Sequence, residues 1–348
     1  MTELVHRLPF FARAVFALTL LVTPTAFGHH SGIEYDQSTL VELEGVAQTV
    51  HWRNPHILIE LATIDENGQE VVWQLEGAAL SNQRRRGVME GMLQEGDQVR
   101  VAGYASTRRP AHMTAEHILL PSGTELLVGF AREPHFSEDQ VGGSALQASA
   151  AAEAQPVDSG IFRVWTRAGG FWPWYFTEPQ DYELTAWAAA HVADYDTFED
   201  NPLLDCTQPG MPSVMGNPYP MEFIDHGDTI ELRFEEFDVV RTIHINDARN
   251  PVDIPSSPLG HSVGRWEGDT LVVTTSRINW PYYGRMGLPQ SESVHVTERF
   301  TVVAAENRID YEITNRDPEV FAGTETWSAP YVWRPGEEVG IYACTVGE

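Results

Sequence analysis

Through most of this chain, apolar side chains return at every second position, and the runs are cut short by Gly, Asn, Asp or Pro. That period belongs to strands with one buried face, because successive β side chains point to opposite sides. The chain must therefore gather into sheets that close or stack, with helices as accessories. In the first part the pattern predicts strands over Leu40–Trp52, His56–Ile64, Val71–Leu75, Gln98–Tyr104 and Thr114–Leu120, and a helix over Leu80–Leu93. Gly45 reads as a bulge and Asn67-Gly68 as a hairpin turn. Three strands, a helix and two strands is the order of an OB-type small barrel.

Residues 137–159 are rich in Ala, Ser, Gly and Gln, show no period, and read as a flexible linker. The linker separates an OB-like β domain over 29–136 from a second domain over 160–348. There, strands are predicted over Gly160–Trp165, Met221–Ile224, Thr229–Phe234, Val239–Ile245, Ser262–Trp266, Thr270–Ser276, Ser293–Val302, Arg308–Ile313, Thr324–Trp333 and Gly340–Cys344. One short helix is predicted over Leu184–Tyr195, and Asp205–Pro220 is a Pro- and Gly-rich loop. Many short strands at even spacing predict a larger antiparallel β-barrel, a lipocalin-like meander. The fold class is thus mostly β, a small barrel followed by a large one.

The first 28 residues have the pattern of a signal peptide. Arg7 and Arg13 flank the apolar stretch Ala14–Val22, Pro24 breaks it, and Ala26-Phe27-Gly28 supplies small residues for cleavage after Gly28. A periplasmic or secreted location is expected, with no membrane span after cleavage, since a span needs about 20 apolar residues. In an oxidising compartment the two cysteines, Cys206 and Cys344, are expected to form a disulfide. All 22 basic residues are arginine, and the net charge is −28. The 29–136 segment carries 15 acids against 8 arginines. A chain so acidic repels nucleic acid, which argues against the oligonucleotide partners that small OB barrels often take.

Two sets of motifs stand out. The first comprises His29-His30-Ser31, Tyr35-Asp36, Gly45-Val46, Trp52-Arg53-Asn54-Pro55-His56 and Gly96-Asp97-Gln98-Val99. It resembles a widespread family of secreted bacterial domains of unknown function. The second comprises Gly260-His261-Ser262-Val263-Gly264-Arg265-Trp266-Glu267-Gly268-Asp269 with Thr270–Val273, and Ser291–Phe300. Cys206, Pro209–Pro212 and Pro218–Pro220 accompany it. This set is similar to motifs of uncharacterised secreted or lipoprotein-like proteins of proteobacteria. Both resemblances imply a fold and a location, and neither implies a chemistry.

Three places could carry function. A chain beginning at His29 offers an α-amine and an imidazole, and with His30 and His56 (or His51) this is a donor set that suits copper or zinc. The competing reading is a solvated chain end. The second place is aromatic: Trp172, Trp174, Tyr175, Trp280, Tyr282 and Tyr283 could line a barrel mouth for an apolar or aromatic ligand, or could plug the barrel. The third is a polar set, with His261, His295 and Arg299 as candidate acid–base groups and Arg265 as a ligand contact. Alternation puts His295 and Arg299 on one face of their strand and Glu298 on the other. A solvated ladder accounts for the polar face equally simply. Phosphate loops, nucleophile elbows and paired-cysteine motifs are absent.

Three functions remain open at this point. The first is an envelope binding protein whose large barrel holds a small apolar or aromatic ligand. The second is a copper-, zinc- or histidine-dependent enzyme. The third is a structural envelope protein with a protein partner.

Overall fold

A computed structural model describes residues 34–143, 160–168 and 179–345. The signal-peptide segment, His29, His30, Trp172, Trp174 and Tyr175 lie outside the described residues. No described helix is long and apolar enough to cross a membrane.

The first unit is built on β1 (Tyr35–His51), β2 (Leu58–Ile64), β3 (Glu70–Glu76), β4 (Gln98–Ser106) and β5 (His112–Leu119). β1 is long enough to pair with β2 through one half and β4 through the other. Parallel pairing of β3 with β5 closes the five strands into a small barrel. Gly45 is not the bulge: the register shifts between Ala47 and Thr49. Gly45 instead lets two backbones approach, since a Cβ there would lie 2.2 Å from the Ala62 carbonyl oxygen. The expected helix over Leu80–Leu93 is cut to α1 (Leu80–Arg85). Gly87, at a φ of 88°, takes the left-handed conformation that ends it.

The expected linker begins later than its composition suggests. β6 (Glu125–Leu127) adds to β5, and β7 (Gln140–Val141) pairs with β6, so 137–143 belongs to the first unit. Glu125 is what holds this stretch. Its buried carboxylate accepts the backbone N–H groups of His135, Phe136 and Ser137 at 2.6–2.8 Å and lies 2.7 Å from His117 Nδ1.

The second unit is a closed nine-strand barrel. Its strands are β8 (Val164–Arg167), β9 (Met221–Asp225), β10 (Thr229–Phe234), β11 (Val240–Ile245), β12 (His261–Glu267), β13 (Thr270–Ser276), β14 (His295–Val303), β15 (Arg308–Arg316) and β16 (Thr324–Val332). The meander is antiparallel except at one step: β11 and β12 run parallel, with Ile243 opposite Ser262. The segment 246–260 makes that crossover. α2 (Ala186–Asp194) starts on the Thr185 side chain, which accepts the Ala188 N–H.

The barrel interior is filled. Trp165, Phe223, Ile243, Phe300, Tyr311 and Tyr331 are all buried within it. Across its middle runs one ion pair, Arg241 to Glu298, with both groups in essentially no contact with solvent. Ser262 Oγ and Thr275 Oγ1 also accept from Arg241, and Tyr311 OH donates to Glu298 at 2.8 Å. A buried charge pair is tolerated only when every remaining polar atom is met in this way.

The two units touch. Ala79 of the first packs into the core of the second. Arg85 pairs with Glu235 and reaches Glu337 at 3.4 Å. Gly340–Cys344 is not a strand but a strap between the units. On one side Asp238 accepts the N–H groups of Tyr342 and Ala343, and on the other Asn54 holds the Tyr342 carbonyl. A disulfide, Cys206–Cys344, fixes the strap to the loop before β9.

A candidate site at the capped end of the large barrel

β15 alternates strictly. Ile309, Tyr311, Ile313 and Asn315 point inward and are buried, while the residues between them face out. Asn315 is the last inward residue before the strand leaves the barrel, so its carboxamide arrives where the loops close over the end. Its neighbours across the sheet are Val296 on β14 and Glu325 on β16. The side chain is 0% exposed, and neither Nδ2 nor Oδ1 has a hydrogen-bond partner. A buried carboxamide left this way costs about 1–3 kcal/mol, so few survive without a reason.

Among the described residues, four aromatic rings stand at this end. Tyr283, from the β13–β14 loop, lies 5.2 Å from Phe321 and 5.9 Å from Trp327, centroid to centroid. Tyr182 lies 5.6 Å from Phe321 and 6.2 Å from Trp327. Tyr182 is placed by its own backbone segment, since Thr185 N–H donates to the Val320 carbonyl and Ala322 N–H to that of Glu183. Trp327 is inward on β16 opposite Ile313.

Two carboxylates share the same end. Asp317, fully buried, accepts from Ser291 N at 2.9 Å, Ser291 Oγ at 2.6 Å and Tyr283 OH at 3.2 Å. These bonds tie the β13–β14 loop to the β15–β16 loop. Glu325 is half-buried, and burial pushes its carboxyl above the ordinary range. Burial also pushes the Tyr283 hydroxyl up, reinforced by Asp317 and Glu325. Neither carboxylate makes an ion pair with an arginine or histidine among the described residues.

The residues singled out in the sequence fall into separate settings. Trp280 and Tyr283 are buried in the core of the second unit, while Tyr282 is half-buried with its edge on Tyr195, 4.9 Å between centroids. Arg265 and Arg299 are on the surface, sharing Glu267 at 2.8 and 3.2 Å. His295 is exposed on the outer face of β14, which is a solvated ladder. His261, 6% exposed, lies under the crossover segment. Its Nε2 is 3.2 Å from Asp247 Oδ2, close but not aligned for a hydrogen bond, and its ring is 4.9 Å from that of His244. Burial, then His244 and Arg249, hold its pKa down.

His56 is half-buried on the small barrel, with Nδ1 3.0 Å from the Gly77 carbonyl oxygen and 3.1 Å from Glu76 Oε1. A carbonyl oxygen only accepts, so Nδ1 carries a hydrogen in this contact. No group of three or more His, Cys, Asp or Glu that could hold a metal ion occurs among the described residues.

Sequence reasoning missed Asn315, Asp317, Glu325 and Trp327 as a group. The signal for Asn315 was parity: it continues the inward series of Ile309, Tyr311 and Ile313 beyond the expected strand end.

Residues 18–114 match the family model described as a family of unknown function (DUF6152). The match covers the small barrel as far as the start of β5, and the remainder of the chain lies beyond it. No curated protein and no solved structure matches this chain.

Proposed function

We propose that this chain is an exported binding protein of the cell envelope, and that the capped end of its large barrel receives a small ligand with an apolar or aromatic body. One observation carries the reading: the Asn315 carboxamide is fully buried and lacks any partner, at the end of the barrel where Trp327 also points inward. An amide recognises a group by donating and accepting together, and a few such polar atoms in an aromatic site fix a ligand's orientation. The disulfide and the leader-like first 28 residues support export.

The test uses the full mature chain, with intrinsic tryptophan fluorescence and thermal shift read against a panel of small aromatic and amphipathic molecules. Saturable binding by wild type that Asn315→Leu abolishes supports the reading. If no member alters either signal, and Asn315→Leu merely raises the Tm, the amide is a structural defect and the reading falls.

A second reading, a copper or zinc centre at the start of the mature chain, is favoured by the setting of His56. Gly77 and Glu76 hold its Nδ1, and metal-binding histidines commonly have one ring nitrogen held by a carbonyl or carboxylate in this way. The reading needs further ligands from His29 and His30. Metal analysis of the exported protein decides it: stoichiometric metal that His56→Ala removes supports it, and metal-free protein ends it.

A further inference from the structure

We infer that the ligand of the capped barrel end is an organic cation, an amine with an aromatic or apolar body, held by Glu325 and Asp317, by the Asn315 carboxamide, and by the faces of Tyr283 and Trp327. This rests on the binding reading above and names the chemistry of the same site.

Asp317 is fully buried and Glu325 half-buried, and no arginine or histidine answers either of them among the described residues. Elsewhere in the chain several buried acids are answered by an arginine, Glu298 by Arg241, Glu235 by Arg85 and Glu236 by Arg285, while Glu116 is held by the backbone N–H groups of Phe130 and Ala131. Carboxylates this deep normally keep a counter-charge, because removal from water costs several kcal/mol per ion. At the capped end, two carboxylates without a described ion-pair partner fall where the unpartnered amide also falls. Asn315 and Glu325 face each other across β15 and β16, so the two vacant polar groups lie side by side.

The aromatic rings supply the second element. Tyrosine and tryptophan faces attract ammonium groups, and more strongly when water is excluded. A metal ion is a poorer fit, because no described group of three ligating side chains exists here. An anionic ligand would meet two carboxylates. A neutral one would leave them uncompensated. An ammonium N–H can donate to Asn315 Oδ1 while its charge is answered by Glu325. The net charge of −28 also draws cations toward the protein over distance.

The experiment compares three matched probes on the full chain by calorimetry at low and raised salt: phenethylamine, its neutral isostere 2-phenylethanol, and phenylacetate. The inference expects the amine to bind at least about tenfold more tightly than the alcohol, with affinity falling as salt is added. Glu325→Gln is expected to erase the difference while leaving the Tm of the half-exposed position nearly unchanged. If the alcohol or phenylacetate binds as well as the amine, and Asn315→Leu abolishes that binding, the cation inference is overturned and the binding reading stands. If none of the three binds and a wider panel is silent too, both are overturned.

Discussion

Asn54 Nδ2 donates to the Tyr342 carbonyl oxygen at 2.6 Å, joining a loop of the small barrel to the chain's C-terminal strap. The same residue holds Ser81 N on its own Oδ1 at 3.1 Å and accepts Thr345 N–H on its carbonyl at 3.1 Å. One side chain thus organises α1 and the strap together, and the Cys206–Cys344 disulfide holds the strap in reach.

Reduction of the disulfide should therefore destabilise the folded chain by roughly 4–5 kcal/mol in the chain-entropy view. Asn54→Ala should cost about 2 kcal/mol in the oxidised protein and clearly less in the reduced one, because the released strap no longer presents Tyr342. Urea unfolding of both proteins with and without reductant checks this. Equal costs in the two redox states would show that Asn54 acts only within its own barrel.

Glu236 gives the protein a pH-dependent weakness. It is buried beside Arg285, 3.1 Å away, and its Oε2 has no hydrogen-bond partner. Burial pushes its carboxyl up to about 7, against the opposing pull of Arg285. The folded chain therefore keeps a proton that the unfolded chain has already released. This contribution is fully present below the unfolded value, near 4.3, and is lost as pH rises to about 7. Glu236→Gln should match wild type at about pH 4 and become more stable by up to about 3 kcal/mol near pH 8. Chemical denaturation across that range measures it, and parallel curves would refute it.

The Arg241–Glu298 pair predicts a strongly non-additive result. Arg241→Met alone strands a buried carboxylate and should cost about 3–5 kcal/mol. Adding Glu298→Leu should recover most of the loss, leaving about 1 kcal/mol for the Tyr311 hydroxyl that loses its acceptor. Denaturant midpoints of the two singles and the double supply the cycle. A double variant worse than the sum of the singles would contradict the assignment.

Glu125 should control the fastening of 135–141. Burial pushes its carboxyl up, but the backbone donors at His135, Ser137 and Phe136, with His117, outweigh burial and hold it below the ordinary carboxylate range. The stability it supplies is present above the unfolded pKa and disappears as pH falls through the folded one. Glu125→Gln, which keeps one acceptor oxygen, should cost about 2 kcal/mol. Hydrogen exchange at the amides of 135–137 should accelerate in the variant at neutral pH, and in wild type only in strong acid. Unchanged exchange in the variant would remove Glu125 from this role.

Much of the fold was legible in the sequence. Period-two alternation marked β1 to β5 and β9 to β16, because a half-buried strand writes its burial directly into successive residues. The parallel step from β11 to β12 was not legible, because alternation carries no direction. Nor was the true length of α1, since Gly87 ends it through a backbone conformation that an apolar pattern does not encode. Residues 137–143 look like a linker in composition and are fastened by a carboxylate that sits earlier in the chain, at Glu125. The same distance effect hid the candidate site: Asn315, Asp317 and Glu325 are near neighbours in sequence, but what makes them notable is the absence of counter-charges around them.

The sequence by itself determined the class of the fold, the two barrels and their order, the shared face of His295 and Arg299, and the material for one disulfide. These are set by local period and by residue chemistry, which each segment carries with it. The tertiary structure alone decided that Gly340–Cys344 is a strap, that Trp280 and Tyr283 are buried in the core, and that Asn315 ends buried and unpartnered. Those outcomes depend on which surfaces meet when strands far apart in the chain close on one another, and burial of a polar group has an energetic meaning only once all its neighbours are in place.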